Sequence, residues 1–215
     1  MNTPVPTPVF RLVHIDCLQA LVQRGAVHPP NHCPDDGLTY RSTHDNEVQR
    51  KRAARVIPCG PGGSIGDYVS FYFGPRGPML LRLKSGGVEG YDEGQEPMIY
   101  LVAHAQDLAT QGCKFAFSDG HGLAAFTRWF DDLAALDEID WESVKARYWA
   151  DTEDYPDRQR RKQAEFLAHG EVPWGLISEI SVSTQGMQRR VAAILGKNTD
   201  AHQPNVAVRA RRFYN

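Results

Sequence analysis

Hydrophobic and polar positions along this chain change between strand-like and helix-like patterns in no regular order. Runs of β-branched and aromatic residues bounded by glycine, proline or polar positions favour strands. On this basis we predict strands at residues 9–15, 67–73, 98–102, 114–118, 177–183 and 205–209.

Helical spacing of apolar residues predicts a second set of elements. Asp16 is expected to cap a helix that Gly25 ends, and Asp140 to cap a later one. The pattern leaves residues 79–83 open between strand and helix, and residues 28–47 look like a long polar loop. The predicted helices are residues 16–25, 45–54, 104–111, 123–135, 141–149, 158–162 and 188–195.

The order of these elements bears on the fold class. Strands and helices mix without a βαβ repeat, which favours an α+β fold over a doubly wound parallel sheet. A length of 215 residues fits a single domain, so residues 1–215 are expected to form one unit.

Composition adds little until the charges are placed. Hydrophobic residues make up 41% and charged residues 23%, as in ordinary soluble proteins. A net charge of -2 excludes a uniformly basic coat protein for nucleic acid. Basic residues are still clustered, which suits a local phosphate-binding face. The clusters are Arg50 to Arg55, Arg158 to Lys162 and Arg209 to Arg212.

Several other classes are disfavoured. The four cysteines form no CxxC pair, and the eight histidines put no pair on one helical face, so neither a metal site nor a disulfide framework is expected. GxSxG, HExxH and phosphate-loop lysine motifs are missing. The amino-terminal residues lack the pattern of a signal peptide, and no apolar run reaches membrane-spanning length. We therefore expect a cytoplasmic protein.

The most informative stretch runs from Arg158 to Leu167. Four positive charges in five positions precede Glu165, and neighbouring cations keep a carboxylate ionised. An ionised glutamate beside cations that can bind phosphate suits chemistry on a nucleotide or nucleic acid. An exposed basic helix face is the alternative, and this stretch alone slightly favours it.

Tyr68, Phe71, Tyr72 and Phe73 form an aromatic strand. Core packing accounts for at least half of such a stripe, and stacking on a base or on nicotinamide is the other use. His14 at a strand end could contact a ligand, but spacing alone favours a packed histidine.

Taken together and in order, the motifs resemble the DarT-type DNA ADP-ribosyltransferase toxins over nearly the whole chain. The longest shared motif is the most specific one, together with the segment around Glu165. The matching segments are Val13 to Asp16, Val48 to Arg52, Gly62 to Leu80, Gly94 to Pro97, Tyr148 to Asp151 and Gln163 to Leu167.

This resemblance implies an ADP-ribosyltransferase fold, in which a split and mostly antiparallel sheet holds NAD in a central cleft. It implies an enzyme that transfers ADP-ribose from NAD to a base of single-stranded DNA, with thymine as the expected acceptor, and releases nicotinamide. The catalytic glutamate of the family corresponds to Glu165, and an arginine of its NAD site corresponds to Arg52. His14 matches a family histidine.

The NAD site shows departures from the family. Arg11 stands where the family often has a histidine, and Cys17 where it has an asparagine. Ser70 and Gly77 replace a proline and a serine of the long motif. Arg11 is a hypothetical replacement for the missing histidine contact. The expected NAD-binding residues are Arg11, His14, Cys17, Arg52, Tyr68 and Tyr72.

Residues 119–162 are expected to face the DNA, because they lie between the aromatic strand and Glu165. Arg158, Arg160, Arg161 and Lys162 are predicted to follow the phosphate backbone. Tyr148 and Trp149 are predicted to stack on bases, although core packing is an equal alternative for both.

Two further functions stay open from the sequence. One is a catalytically silent domain that binds single-stranded DNA, and the other is an ADP-ribosyltransferase for RNA or protein. The resemblance also implies a partner antitoxin that removes the ADP-ribose.

Overall fold

A computed structural model describes residues 3–38, 40, 41, 43 and 46–215. Positions 39, 42, 44 and 45 of the predicted loop and second helix lie outside the described residues. The strands of the described part are β1 (Pro8–His14), β2 (Ala26–Val27), β3 (Tyr68–Tyr72), β4 (Met98–His104), β5 (Phe115–Ser118), β6 (Trp129–Phe130), β7 (Glu165–His169), β8 (Val172–Pro173), β9 (Glu179–Val182) and β10 (Asn205–Val208). Its α-helices are α1 (Leu18–Arg24), α2 (Asn46–Ala54), α3 (Pro78–Lys84), α4 (Ala105–Thr110), α5 (Trp141–Lys145), α6 (Arg158–Arg161) and α7 (Gln185–Leu195).

Eight of these strands form one sheet in the order β10-β9-β4-β1-β3-β7-β5-β6. Every neighbouring pair is antiparallel except β9 and β10. The pairing of β1 with β3 consists of Phe10 opposite Tyr72 alone, whereas β1 pairs with β4 over its whole length. The sheet is therefore split into two halves that are joined at one position. This arrangement confirms the predicted α+β class and the split, mostly antiparallel sheet.

The main core packs α1, α4 and α7 against the sheet, with Phe71, Phe117 and Phe166 fully buried. Phe73 makes edge-to-face contacts with Phe117, Phe166 and Trp141. The aromatic strand thus serves packing at Phe71 and Phe73. Tyr72, which is only partly buried, marks the position where the halves of the sheet meet.

Most predicted elements exist, and the exceptions have physical causes. Residues 79–83 belong to helix α3, which begins at Pro78, a residue whose fixed φ suits a first helical turn. The helix predicted at 123–135 is wrong: the segment holds strand β6, and a 3₁₀ helix follows at Leu133–Glu138. Pairing with β5 and capping by the Asp132 side chain outweigh the helical spacing there.

The two predicted caps differ in outcome. Asp140 caps α5 as expected, since its side chain accepts from the Ser143 amide. Asp16 does not cap α1, because it lies inside a 3₁₀ turn, Ile15–Cys17, where its amide donates to the His14 ring. Helix α5 ends at Lys145, whereas the prediction extended it to residue 149. The chain directly after Lys145 is a largely exposed segment without helical structure.

Candidate active site

The centre of the site is Glu165, the first residue of β7. It pairs with Tyr72 at the end of β3, so its side chain lies where the sheet divides. Ala164 and Phe166 beside it are fully buried and fix the local backbone in the core. The Glu165 side chain is itself 0% exposed. A carboxylate in this place requires a built-in partner.

Arg52 is that partner. Its Nη1 donates to Oε1 of Glu165 at 2.9 Å and its Nη2 to Oε2 at 2.5 Å, the bidentate geometry that suits a guanidinium and a carboxylate. Burial raises the pKa of Glu165, but the charge and hydrogen bonds of Arg52 more than offset this and hold it below its ordinary value. Burial likewise lowers the pKa of Arg52, and Glu165 reverses this to a net rise. The site therefore holds an ion pair at neutral pH.

Helix α2 brings Arg52 to the carboxylate. This helix is polar almost throughout, and Arg52 is its buried residue. Nη2 of Arg52 also donates to the Ser70 hydroxyl of β3 at 3.1 Å. The amide of Gly122 adds a further bond to Oε1 of Glu165 at 3.2 Å. Glu165 is thus ionised as predicted, but a residue 113 positions away provides the cation, not the adjacent basic run.

A cleft of about 600 Å³ opens beside Arg52, while the fully buried Glu165 lies behind it and is not among the residues that line the cleft. Its volume lies in the range of small-molecule and cofactor sites. Residues from both halves of the divided sheet line it, including Leu12 of β1 and Ser70 of β3. Half of the residues predicted to bind NAD are part of this lining, namely Arg11, Arg52 and Tyr72.

Arg11 lines the cleft and carries one buried donor without a partner in the described part of the chain. Its Nη1 donates to the Ser70 carbonyl at 3.0 Å, while its buried Nε has no hydrogen-bond partner among the described residues. A buried donor without a partner is costly, so such an atom in a cleft is a candidate ligand contact. Burial raises the pKa of the neighbouring Tyr72 to about 12, which keeps its phenol neutral.

The other predicted NAD-binding residues lie outside the lining. The buried His14 ring accepts from the Asp16 amide through Nδ1 at 3.1 Å, and its Nε2 lies 3.3 Å from Arg41. Burial lowers the pKa of His14, so its ring is neutral at pH 7. Cys17 donates to the Arg41 carbonyl at 3.3 Å, and Tyr68 donates to the Gly62 carbonyl at 2.5 Å.

The basic run before Glu165 is largely compensated by acidic groups. Arg160 pairs with Asp119 and Asp157, each at 2.7 Å. Arg161 pairs with Asp157 at 3.0 Å and with Asp140 at 3.3 Å. Nη2 of Arg158 lies 3.6 Å from the Glu142 carboxylate. Most of these partners come from other segments, so the run lacks the uncompensated charge that the sequence suggests.

Lys162 departs most from expectation. Its side chain is buried, with the residue 1% exposed, and Nζ donates to the carbonyls of Val144 at 2.6 Å and Ala146 at 3.1 Å. Burial lowers the pKa of this ammonium to about 7. Lys162 cannot follow a DNA backbone from this position, and we replace that prediction with a structural role.

The two predicted stacking residues differ from each other. Tyr148 is 79% exposed, with the Arg147 guanidinium 6.0 Å from its ring centre. Trp149 is partly buried, and its indole donates to the Tyr214 hydroxyl at 2.8 Å. Tyr148 is thus presented to solvent, whereas Trp149 is held by the protein.

Sequence reasoning missed His121 and Gln163, which also line the cleft. Burial lowers the pKa of His121, and the nearby charge of Glu165 only partly opposes this, so its ring is neutral at pH 7. A lone histidine between two glycines carries no recognisable motif. Its position becomes informative only when the loop after β5 is folded against Glu165.

Among the described residues, no three His, Cys, Asp or Glu side chains are grouped so that they could hold a metal ion. No helix in the same part of the chain is both long and apolar enough to cross a membrane.

Known proteins resemble this chain over nearly its whole length. The family described as "ssDNA thymidine ADP-ribosyltransferase, DarT" matches residues 10–214. A DNA ADP-ribosyl transferase of Thermus sp. strain 2.9 is 39% identical over 211 residues, which cover 98% of each chain. A fusion of a DNA ADP-ribosyl transferase with a DNA ADP-ribosyl glycohydrolase, from Thermosipho africanus, is 23% identical over 81% of this chain and 42% of the fusion.

Two solved structures of Thermus sp. 2.9 DarT resemble the present one closely. The complex with ADP-ribosylated ssDNA gives a TM-score of 0.93 at 38% identity and covers 100% of this chain and 99% of that chain. The complex with NAD+ gives a TM-score of 0.88 at 38% identity and covers 99% of this chain and 100% of that chain.

Proposed function

Because the chain belongs to the DarT family of ssDNA thymidine ADP-ribosyltransferases, we propose that it transfers ADP-ribose from NAD to thymine in single-stranded DNA and releases nicotinamide. The observation that carries this proposal is the ionised Glu165, buried with Arg52 beside a cleft of about 600 Å³. Such a carboxylate is costly to the fold, and its bond to an arginine that lines a cofactor-sized cleft gives it a chemical use.

The first chemical step breaks the bond between nicotinamide and C1 of its ribose. The electron pair of this bond leaves with the ring nitrogen, so nicotinamide departs as a neutral molecule and needs no general acid. Positive charge develops on the ribose, as in glycoside cleavage. The fixed negative charge of the buried Glu165 stabilises this cation.

The second step joins C1 of the ribose to thymine. The ring nitrogen of thymine that is not bonded to deoxyribose carries a proton, which must leave as the new bond forms. A positioned base contributes a factor of roughly 10²–10⁴ to such a transfer. Glu165 serves as this base, and the neutral His121 ring provides a second acceptor at the same wall of the cleft.

Arg52 and Arg11 have separate tasks in this scheme. Arg52 fixes the rotamer and ionisation of Glu165, and its guanidinium also faces the bound dinucleotide. Arg11, which lines the cleft, binds the pyrophosphate, which a guanidinium matches well. Tyr72 closes the cleft where the sheet divides and offers an uncharged ring.

The proposal extends to the surroundings of the enzyme. A protein that marks DNA endangers the cell that makes it, so we infer a cognate antitoxin that removes ADP-ribose. The fusion protein of Thermosipho africanus, whose name joins a transferase to a DNA ADP-ribosyl glycohydrolase, supports this inference. The proposed reaction takes place in the cytoplasm, where both substrates, NAD and single-stranded DNA, are available.

The test is incubation of the purified protein with NAD and oligonucleotides that each contain one kind of base, followed by intact mass measurement. The expected result is one ADP-ribosyl addition on thymine-containing strands, lost in Glu165→Ala and kept in the control Glu89→Ala. Glu89 is an exposed carboxylate in the loop before β4.

Two outcomes would contradict the proposal. NAD binding without DNA modification would point to an RNA or protein acceptor, which the same assay tests by exchange of the acceptor. DNA binding without any nicotinamide release would point to a catalytically silent binding domain.

A further inference from the structure

The segment Val144–Trp149 connects the end of α5 with the exposed Tyr148, and three contacts hold it. The first comes from Lys162, whose ammonium donates to the carbonyls of Val144 and Ala146. These carbonyls lie at the end of α5, where helical groups lack internal partners. Among the described residues this buried amino group donates to backbone oxygens, and these bonds fix the direction in which the chain leaves the helix.

The second contact is a close approach to Gly74, which lines the cleft. A Cβ built on Gly74 would lie 2.5 Å from the Val144 carbonyl oxygen, a distance that no real side chain tolerates. Glycine at this position allows the two backbones to touch. The Val144 carbonyl is therefore held between Lys162 on one side and the cleft wall on the other.

The third contact runs through Tyr214. Its hydroxyl accepts from the Trp149 indole at 2.8 Å and donates to the Arg76 carbonyl at 2.5 Å. Arg76 has a φ of 59°, the left-handed conformation that is unusual for a residue other than glycine. The same hydroxyl joins Trp149 to a tight turn whose next residue, Gly77, lines the cleft.

Between these fixed points lies Tyr148, 79% exposed. An exposed aromatic ring on a mobile loop loses much of its stacking free energy when it is ordered on binding. A ring whose chain neighbours are already fixed avoids that cost. Stacking on bases is the use of exposed rings that single-strand recognition favours.

We propose that Lys162 and Tyr214 are positioning residues, which clamp Val144–Trp149 against the turn Gly74–Gly77 and so present Tyr148 to a base of the bound single strand. The proposal rests on the proposed function for the identity of the strand. It gives the buried lysine of the basic run a role in DNA recognition that does not involve a phosphate. It also connects the wall of the cleft with the surface that receives the acceptor.

The test uses Tyr214→Phe, which removes one hydroxyl and keeps the ring. We expect the dissociation constant for a fluorescent thymine oligonucleotide, measured by anisotropy, to rise about fivefold, the loss typical of one hydrogen bond. The KM for the oligonucleotide should rise equally, whereas NAD affinity stays unchanged. Tyr91→Phe is the matched control, since its hydroxyl donates to the Gly94 carbonyl within its own loop.

A double-mutant cycle with Tyr148→Ala separates positioning from a contribution to folding. If Tyr214 acts through Tyr148, its removal adds little to DNA binding once Tyr148 is absent. Lys162→Met should give the same non-additive result. Additive effects in both cycles would overturn the proposal, as would a Tyr214→Phe protein that unfolds at lower temperature but binds DNA like the wild type.

Failure of the proposed function is distinguishable from failure of the clamp. DNA binding is measured without NAD. If the wild type binds the strand but transfers no ADP-ribose, the double-mutant cycle can still be measured, and only the proposed reaction is refuted. A wild type that does not bind single-stranded DNA refutes both.

Discussion

Replacement of Glu165 by glutamine separates what the buried pair does for the fold from what it does for the reaction. The side chain keeps its size, so packing around this fully buried position is unchanged. The introduced amide has one oxygen acceptor for the two donors of Arg52, and its NH₂ group faces a guanidinium that cannot accept. Arg52 is left as a cation with 8% exposure and no neutralising charge.

The expected loss of stability follows from that geometry. Removal of one partner of a buried ion pair costs about 3–5 kcal/mol. Arg52 lines the cleft and can turn toward its water, so the lower end, about 3 kcal/mol, applies. The rate of nicotinamide release should fall by a factor of roughly 10²–10⁴.

A second variant, Glu165→Met with Arg52→Met, makes the reasoning refutable. Removal of both charges is often neutral or stabilising, so the free energy of unfolding, measured in urea, should return to within about 1 kcal/mol of the wild-type value. Transfer to a thymine oligonucleotide should stay lost, because the charge that stabilises the ribose cation is still missing. A double variant as unstable as the single one would show that charge burial is not the source of the effect.

Three other changes give further predictions. Arg11→Ala should weaken NAD binding, measured by calorimetry, about tenfold, and Arg11→Lys should lose less affinity than the alanine variant. Unchanged affinity in Arg11→Ala would show that Arg11 does not bind the pyrophosphate. Burial lowers the pKa of Lys162 from its ordinary value to about 7. Between about pH 7 and 10.5 the unfolded chain therefore binds more protons than the folded chain. The free energy of unfolding of the wild type, measured in urea, should rise with pH in this window relative to that of Lys162→Met. An equal change in both proteins between pH 7 and 9 would contradict this. In anisotropy titrations Arg161→Ala should weaken DNA binding less than Tyr148→Ala does, because the Arg161 guanidinium is already paired with Asp157 and Asp140. A larger loss of DNA affinity in Arg161→Ala would refute that ranking.

The fold class and much of the site were predictable from the sequence. Strong apolar runs predicted β3, β4 and β5, and the motif order led to the family that the comparisons confirm. Strand β7 was not predicted as a strand, because the segment was interpreted only through its glutamate and the basic run before it. Glu165 and Arg52 were both singled out, although their 2.9 Å contact spans 113 positions and no local pattern encodes it. Their individual roles in catalysis and NAD binding remain predictions.

The predictions that were wrong share a physical cause: contacts formed only in the folded chain decide which charged residues are paired or buried and which segments form strands. The run before Glu165 was predicted to follow the phosphate backbone of DNA, yet Asp119 and Asp140 fold back onto Arg160 and Arg161. Lys162 was interpreted as part of the same surface because burial of one member of a charged run leaves no mark in composition. Helical spacing at 123–135 was similarly outweighed by pairing of β6 with β5, a contact made only in the folded chain.

The hydrogen bonds on Glu165 limit how the two steps of the reaction can be arranged in time. An ionised carboxylate accepts about four hydrogen bonds. Arg52 provides two of them and the Gly122 amide another, so a single direction, on Oε2, has no partner among the described residues. A ribose hydroxyl and the proton of thymine cannot both use it at once. When Glu165 rather than His121 is the proton acceptor and Arg52 keeps both hydrogen bonds, cleavage and deprotonation are successive events, with the sugar released from Glu165 before the base gives up its proton.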